Sequence, residues 1–222
     1  YHNMVYSGFS TSPLSDVIGD VPAIAMRGIS KEMPWPGSRC GWIEIYNADK
    51  DPMFAKYITS ILHAKMVEVC STTLPQIVYP KVVTHPKYQE YLAERIHRYE
   101  RFADIAYDCL KNLKGVLVNR PNGAFYMSVC FERGILTDRQ TLPIANREIR
   151  ELVEQLVSPP DTAMDKRFVY YLLGATGICV VPLTSFATDL HGFRVTLLER
   201  NDEEFHKIFC TIAASIKKHL KS

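Results

Sequence analysis

A chain of 222 residues, 47% of them hydrophobic, is long enough to bury one core or two. Its 26 basic and 24 acidic side chains leave a net charge of +2, too even a balance for a dedicated nucleic-acid surface, so the charges read as a solvated exterior. No apolar run has the length of a membrane span and nothing at the start reads as a signal peptide, so the expectation is a soluble, cytoplasmic protein that meets no membrane.

The chain opens in strand and loop. Residues 23–26 form a short apolar strand that leads to Lys31, and residues 42–46 form a second strand after a Pro36-Gly37 turn. From Pro52 the apolar residues Met53, Tyr57, Ile58, Ile61 and Leu62 recur at three and four positions, which predicts an amphipathic helix with proline in its first turn. Residues 73–76 interrupt it, and a second helical stretch runs through Ile77 and Val82. The longest helical pattern follows Pro86, keeps Tyr88, Tyr91, Leu92, Ile96, Tyr99, Phe102, Ala106, Cys109 and Leu110 on one broad face up to Leu113, and ends at Gly115.

Strands are predicted over 115–119, 125–131, 178–181 and 193–198. Phe125, Met127, Val129 and Phe131 alternate, which gives that strand one buried face. Between Phe131 and Phe168 only the amphipathic piece 149–157 is legible, in a segment that either covers a site or forms an oligomer surface. The last helix packs Phe205, Ile208, Phe209, Ile212, Ile216 and Leu220 and leaves Lys207, Lys217, Lys218 and Lys221 in water.

Three side chains carry the chemistry. Lys31 lies just past a strand expected to be buried, where lost hydration favours the neutral, nucleophilic amine. Arg39 returns from the turn eight residues later, and its planar fork suits a phosphate. An amine able to form an imine, beside an anion clamp, points to an aldehyde cofactor that carries a phosphate. Arg194, in the run Gly192-Phe193-Arg194-Val195-Thr196, is a cation among apolar neighbours and is expected to wait for an anion. The six cysteines, at positions 40, 70, 109, 130, 179 and 210, show no C-x-x-C pair, and the seven histidines do not cluster, so neither a metal site nor a disulfide is expected. His191, two residues from Phe193, reads as a loop residue beside a strand, with a place in the lining of a substrate entrance as the alternative.

Gly28-Ile29-Ser30-Lys31, then Pro36-Gly37, Arg39 and Gly41-Trp42, resemble the cofactor-lysine signature of the class I and II aminotransferases of PLP fold type I, nearest the alanine and tyrosine branch. Tyr1 with Tyr6, the run 121–126, Gly177 to Pro182 and the run 193–197 extend the resemblance over nearly the whole chain. It implies an α/β fold. Residues 1–85 would be the C-terminal part of the large, cofactor-binding domain, and residues 86–222 a long connecting helix with an α+β small domain. It also implies pyridoxal 5'-phosphate as cofactor, with Lys31 the imine lysine, Arg39 and Ser30 on the phosphate, Tyr1 on the ring oxygen and Arg194 on the substrate α-carboxylate. Many members carry a serine three residues before the lysine. Here that position is Gly28, so the phosphate site is expected to be one donor poorer. The implied activity is amino-group exchange between an amino acid and a 2-oxo acid in a homodimer. The residues that face the cofactor ring would lie upstream of Tyr1, which makes this chain an incomplete and inactive part of that enzyme. A lyase, a cyclopropane-carboxylate-synthase-like enzyme on the same fold, and a non-catalytic remnant stay open as alternatives.

Overall fold

The computed structural model describes residues 1–222, which fall into two compact units, Tyr1–Ile96 and His97–Ser222. In the first, a loop and the single-turn helix α1 (Leu14–Val17) precede β1 (Ala23–Gly28), which pairs antiparallel with β2 (Gly41–Tyr46). The register sets Ala23 opposite Tyr46 and Gly28 opposite Gly41. Gly41 is required by that approach, since a β-carbon there would lie 2.7 Å from the Arg27 carbonyl oxygen. The connection between the strands holds the one-turn helix α2 (Ile29–Glu32) and a 3-10 turn (Pro36–Ser38).

The strand before Lys31 is more open than its apolar sequence implies. β1 and β2 form a two-stranded sheet, so no third strand covers either edge, and Met26 is 85% exposed. The premise that a buried strand dries Lys31 is therefore corrected: the residue is half-buried. The same correction applies to α3 (Pro52–Met66). Asp51 caps it by accepting from the amides of Met53 and Phe54, as the proline-led start requires, but of the predicted stripe only Ile58 is fully buried. Helix α4 (Thr73–Val83) tolerates Pro80 in its interior, and α5 (Tyr88–Leu110) follows. The first turns of α5 bury Tyr88, Leu92 and Arg95, so the contact boundary at Ile96 lies inside the helix that the sequence reads as a connector beginning at 86.

The second unit is built on an antiparallel sheet of β3 (Val116–Val118), β4 (Tyr126–Phe131), β5 (Val181–Pro182) and β6 (Gly192–Thr196), in the order β3-β4-β6-β5. The predicted alternation holds, with Phe125, Met127, Val129 and Phe131 all buried. The strand expected over 178–181 is shorter and later, because only Val181 and Pro182 reach β6. Helix α8 (Asp202–His219) buries Phe205, Phe209, Ile212 and Ile216, with Asn201 capping its first turn and three acidic residues there against Lys217 and Lys218 in the last. Phe102 of α5 stacks on Phe205 at 4.3 Å, and Phe168 packs against Phe131 at 5.1 Å and Phe193 at 5.7 Å.

The stretch before Phe168 folds into α6 (Arg147–Val157) and α7 (Met164–Thr176). Helix α7 escapes the sequence reading because Phe168, Val169, Tyr170 and Tyr171 are strand-favouring types and Gly174 disfavours a helix. Packing overrides propensity there: a β-carbon on Gly174 would meet Ile144 at 2.8 Å and Val153 at 2.9 Å, so the glycine lets the helix come close.

His219 is buried to 1% exposure against the rings of Phe168 and Tyr171, and its Nδ1 has no hydrogen-bond partner. Burial lowers its pKa from 6.5 to about 4, with the Thr141 backbone hydrogen bond pulling upward and the Arg167 charge pulling further down. The unfolded chain takes up this proton below about 6.5 and the folded chain does not. The contribution to stability is therefore complete above 6.5 and is lost as pH falls toward 4. We expect urea denaturation of the wild type to lose about 2 to 3 kcal/mol more than His219→Phe between those pH values; parallel pH profiles for the two proteins would contradict this.

Candidate active site

The β1–β2 pairing brings the two candidate cofactor residues to the same end of one hairpin. Lys31 lies three residues beyond Gly28 on one arm, and Arg39 lies two before Gly41 on the other. Ile29, fully buried, pins α2 down, and its amide donates to the Cys40 carbonyl at 3.3 Å, tying the arms together past the last strand pair. Ser30, half-buried, shares that turn with Lys31.

Arg39 adopts a left-handed backbone with φ of 50°, and its Nη1 donates to the Pro36 carbonyl at 2.7 Å, which leaves most of an exposed guanidinium facing outward. It lines a hollow of about 340 Å³ with Gly41, Trp42, Gln76 and Tyr79; Lys31 is not among the lining residues. Trp42 and Tyr79, whose rings lie 5.1 Å apart, also line a second hollow of about 170 Å³ with His2, Asn3, Gly28 and Glu32. The segment that begins at Tyr1 thus lies beside the lysine turn, and the Asn3 amide donates to Glu32 at 3.0 Å. Tyr1 itself is exposed.

Arg95 is the residue that sequence reasoning missed. It is 4% exposed on the buried stripe of α5, and its fork donates to the carbonyls of Lys31 and Glu32, each at 2.5 Å. A one-turn helix cannot bond its own last carbonyls, and a cation at its C-terminal end satisfies them. The signal was an arginine standing three residues after Leu92 and four before Tyr99, at a position the helical period assigns to the core.

Arg194 lies within the second unit, on β6 opposite Ser128 and Val181. It is half-buried, not covered, and its guanidinium lies 4.5 Å from the Tyr126 ring and 4.1 Å from the Phe186 ring with no carboxylate partner. Aromatic faces orient a cation without neutralising it. A second unforeseen residue, the fully buried Asp165, arranges this: it accepts from the Thr184 hydroxyl at 2.7 Å, the Thr184 amide at 3.0 Å and the Gly192 amide at 3.3 Å. It thereby holds both the turn that carries Phe186 and the start of β6. His191 lies 3.7 Å from the same carboxylate, beside the strand as expected.

Within the first unit an amine and a guanidinium leave the same hairpin end, and within the second an arginine stands on a sheet against two aromatic rings. Comparison with known proteins supplies the class. The structure aligns over 99% of its length with a tyrosine aminotransferase from Leishmania infantum, TM-score 0.77 at 15% identity, and over 100% with an alanine aminotransferase from Pyrococcus furiosus, TM-score 0.72 at 24% identity. The fold is that of the PLP fold type I aminotransferases. Residues 1–209 match the family model for aminotransferase class I and II, and the chain belongs to that family. It is 54% identical over all 222 residues to an uncharacterized aminotransferase of Methanocaldococcus jannaschii. The chain spans 51% of that relative and 47% of each of the two solved structures.

Removing the Arg95 fork strands two carbonyls. We expect Arg95→Met to cost about 1 to 3 kcal/mol in urea denaturation and to speed amide exchange around residues 29–35, with Arg95→Lys recovering part of the loss. Unchanged exchange in that turn would remove Arg95 from its positioning role.

Proposed function

We propose that this chain serves an enzyme that exchanges the amino group between an amino acid and a 2-oxo acid, with pyridoxal 5'-phosphate carried on the Lys31 ε-amine. The observation that supports this reading most is the hairpin register, in which Gly28 faces Gly41 and the amine and guanidinium arms leave from the same end. The donors suit such a group. A primary amine bonds an aldehyde carbon, a guanidinium forks onto phosphate oxygens, and Ser30 adds a hydroxyl. When bound, the cofactor supplies an electron sink next to the substrate α-carbon.

This chain's own residues do the rest. Lys31 Nζ takes and returns the proton at the substrate Cα, and Arg95 keeps the turn that carries it in place. Arg39 grips the phosphate, and Tyr1 donates to the ring oxygen. Arg194, oriented by Tyr126 and Phe186, takes the substrate α-carboxylate and so sets the direction of the Cα–H bond. We assign the whole protein to a cytoplasmic homodimer with amino acids and 2-oxo acids as its substrates. Residues 1–85 belong to its large domain and residues 86–222 to its connector and small domain. No helix here is long and apolar enough to cross a membrane. The 222 residues alone are expected to turn over no substrate, because the resemblance assigns the groups around the cofactor ring to the half of the relatives that this chain does not span.

In a protein of the relatives' full length, borohydride reduction should fix the cofactor to Lys31, as read by peptide mass; a label on another lysine ends the assignment. Arg194→Ala should raise KM and lower kcat for every amino acid tried, by a total of about 2 to 5 kcal/mol in kcat/KM. If a single substrate suffers, Arg194 reads the side chain instead.

A further inference from the structure

Two helices of the second unit bring together three ligating side chains that lie far apart in sequence. Cys109 sits in the last turn of α5, and His206 and Cys210 lie one turn apart on α8, with ligand atoms all within 4.8 Å of one another. Cys210 Sγ is 3.7 Å from each nitrogen of the His206 ring. Zinc–sulfur and zinc–nitrogen bonds of about 2.3 and 2.0 Å at a tetrahedral angle set sulfur and nitrogen about 3.6 Å apart. The observed separation is of that size but equal for both nitrogens, so the exposed His206 ring must turn to aim one nitrogen at an ion shared with the sulfur.

The arrangement does not depend on an ion for its assembly. Phe102 and Phe205, stacked at 4.3 Å, lock α5 to α8, and the four-residue spacing of His206 and Cys210 puts both on one face. Cys109 is half-buried while the other two are exposed, so a solvated ion has access. The donor set, two sulfurs and an imidazole, is soft. The nearest acidic neighbour in sequence, Asp108, is taken by Lys111 at 2.6 Å, which leaves little for calcium or magnesium.

We propose that Cys109, His206 and Cys210 form a binding site for a soft divalent cation of the zinc type, with solvent in the fourth position. Two thiolates neutralise the ion, and the bound ion ties the end of α5 to the first half of α8. The stability of this unit then rises with zinc concentration.

The test uses the 222-residue chain, reduced with a phosphine and titrated with Co²⁺ and then Zn²⁺. We expect one cobalt per chain with a thiolate-to-cobalt charge-transfer band, displacement of that band by one equivalent of zinc, and a higher Tm with zinc present. Cys109→Ser, His206→Ala and Cys210→Ser should each weaken binding by about tenfold or more, whereas Cys40→Ser and Cys70→Ser should leave it intact. Circular dichroism checks that each variant is folded, and His206, being exposed, is the substitution least able to disturb packing. The proposal is overturned if the reduced chain gives no charge-transfer band or if the band survives in Cys210→Ser. It also fails if the chain isolates with a Cys109–Cys210 disulfide and, once reduced, takes up no zinc.

Discussion

The lysine turn depends on satisfying two backbone carbonyls that its own helix cannot reach. Helix α2 is a single turn, too short to bond its last carbonyls internally, and it ends next to the amine on which the proposed chemistry rests. Arg95 answers from another element by forking onto both carbonyls from the buried stripe of α5. The clamp is electrostatic and directional, so it specifies position as well as stability. Ile29, fully buried beneath the turn, supplies the apolar half of the same anchorage.

The second unit solves a related problem by different means. Arg194 rests against two aromatic faces, which orient its charge where a carboxylate would cancel it. Those faces are themselves placed by a buried acid. Asp165 holds Thr184 and Gly192 at once, so the 3-10 turn bearing Phe186 and the strand bearing Arg194 share a single anchor. A buried carboxylate with three donors is stable there, because each bond to the charged group offsets part of its desolvation. The aromatic cluster of Phe131, Phe168 and Phe193 underlies the same strand and makes the sheet a rigid base for it.

Elements whose sequence period matched their burial were read well. The alternation from Phe125 to Phe131 and the stripe from Phe205 to Ile216 are both buried as the pattern requires, because one face of each packs on the same apolar core. Where a local pattern met no partner, the reading overshot: most of the predicted stripe of α3 stays exposed and the apolar residues of β1 are half-buried apart from exposed Met26, since amphipathicity states what a face could bury and not whether anything covers it. Helix α7 failed in the opposite sense, with strand-favouring residues held in a helix by close packing around Gly174.

What the sequence determined by itself was local placement. Lys31, Arg39 and the glycines around them lie within one hairpin, and residues that close in the chain carry their relationship in their order. What only the tertiary structure decided was every relationship between distant positions: Arg95 upon the carbonyl of Lys31, Asp165 upon Thr184 and Gly192, and Cys109 beside His206 and Cys210. The physical reason is that such pairings are set by how helix and sheet faces pack, and a packing direction has no signature in the spacing of either partner.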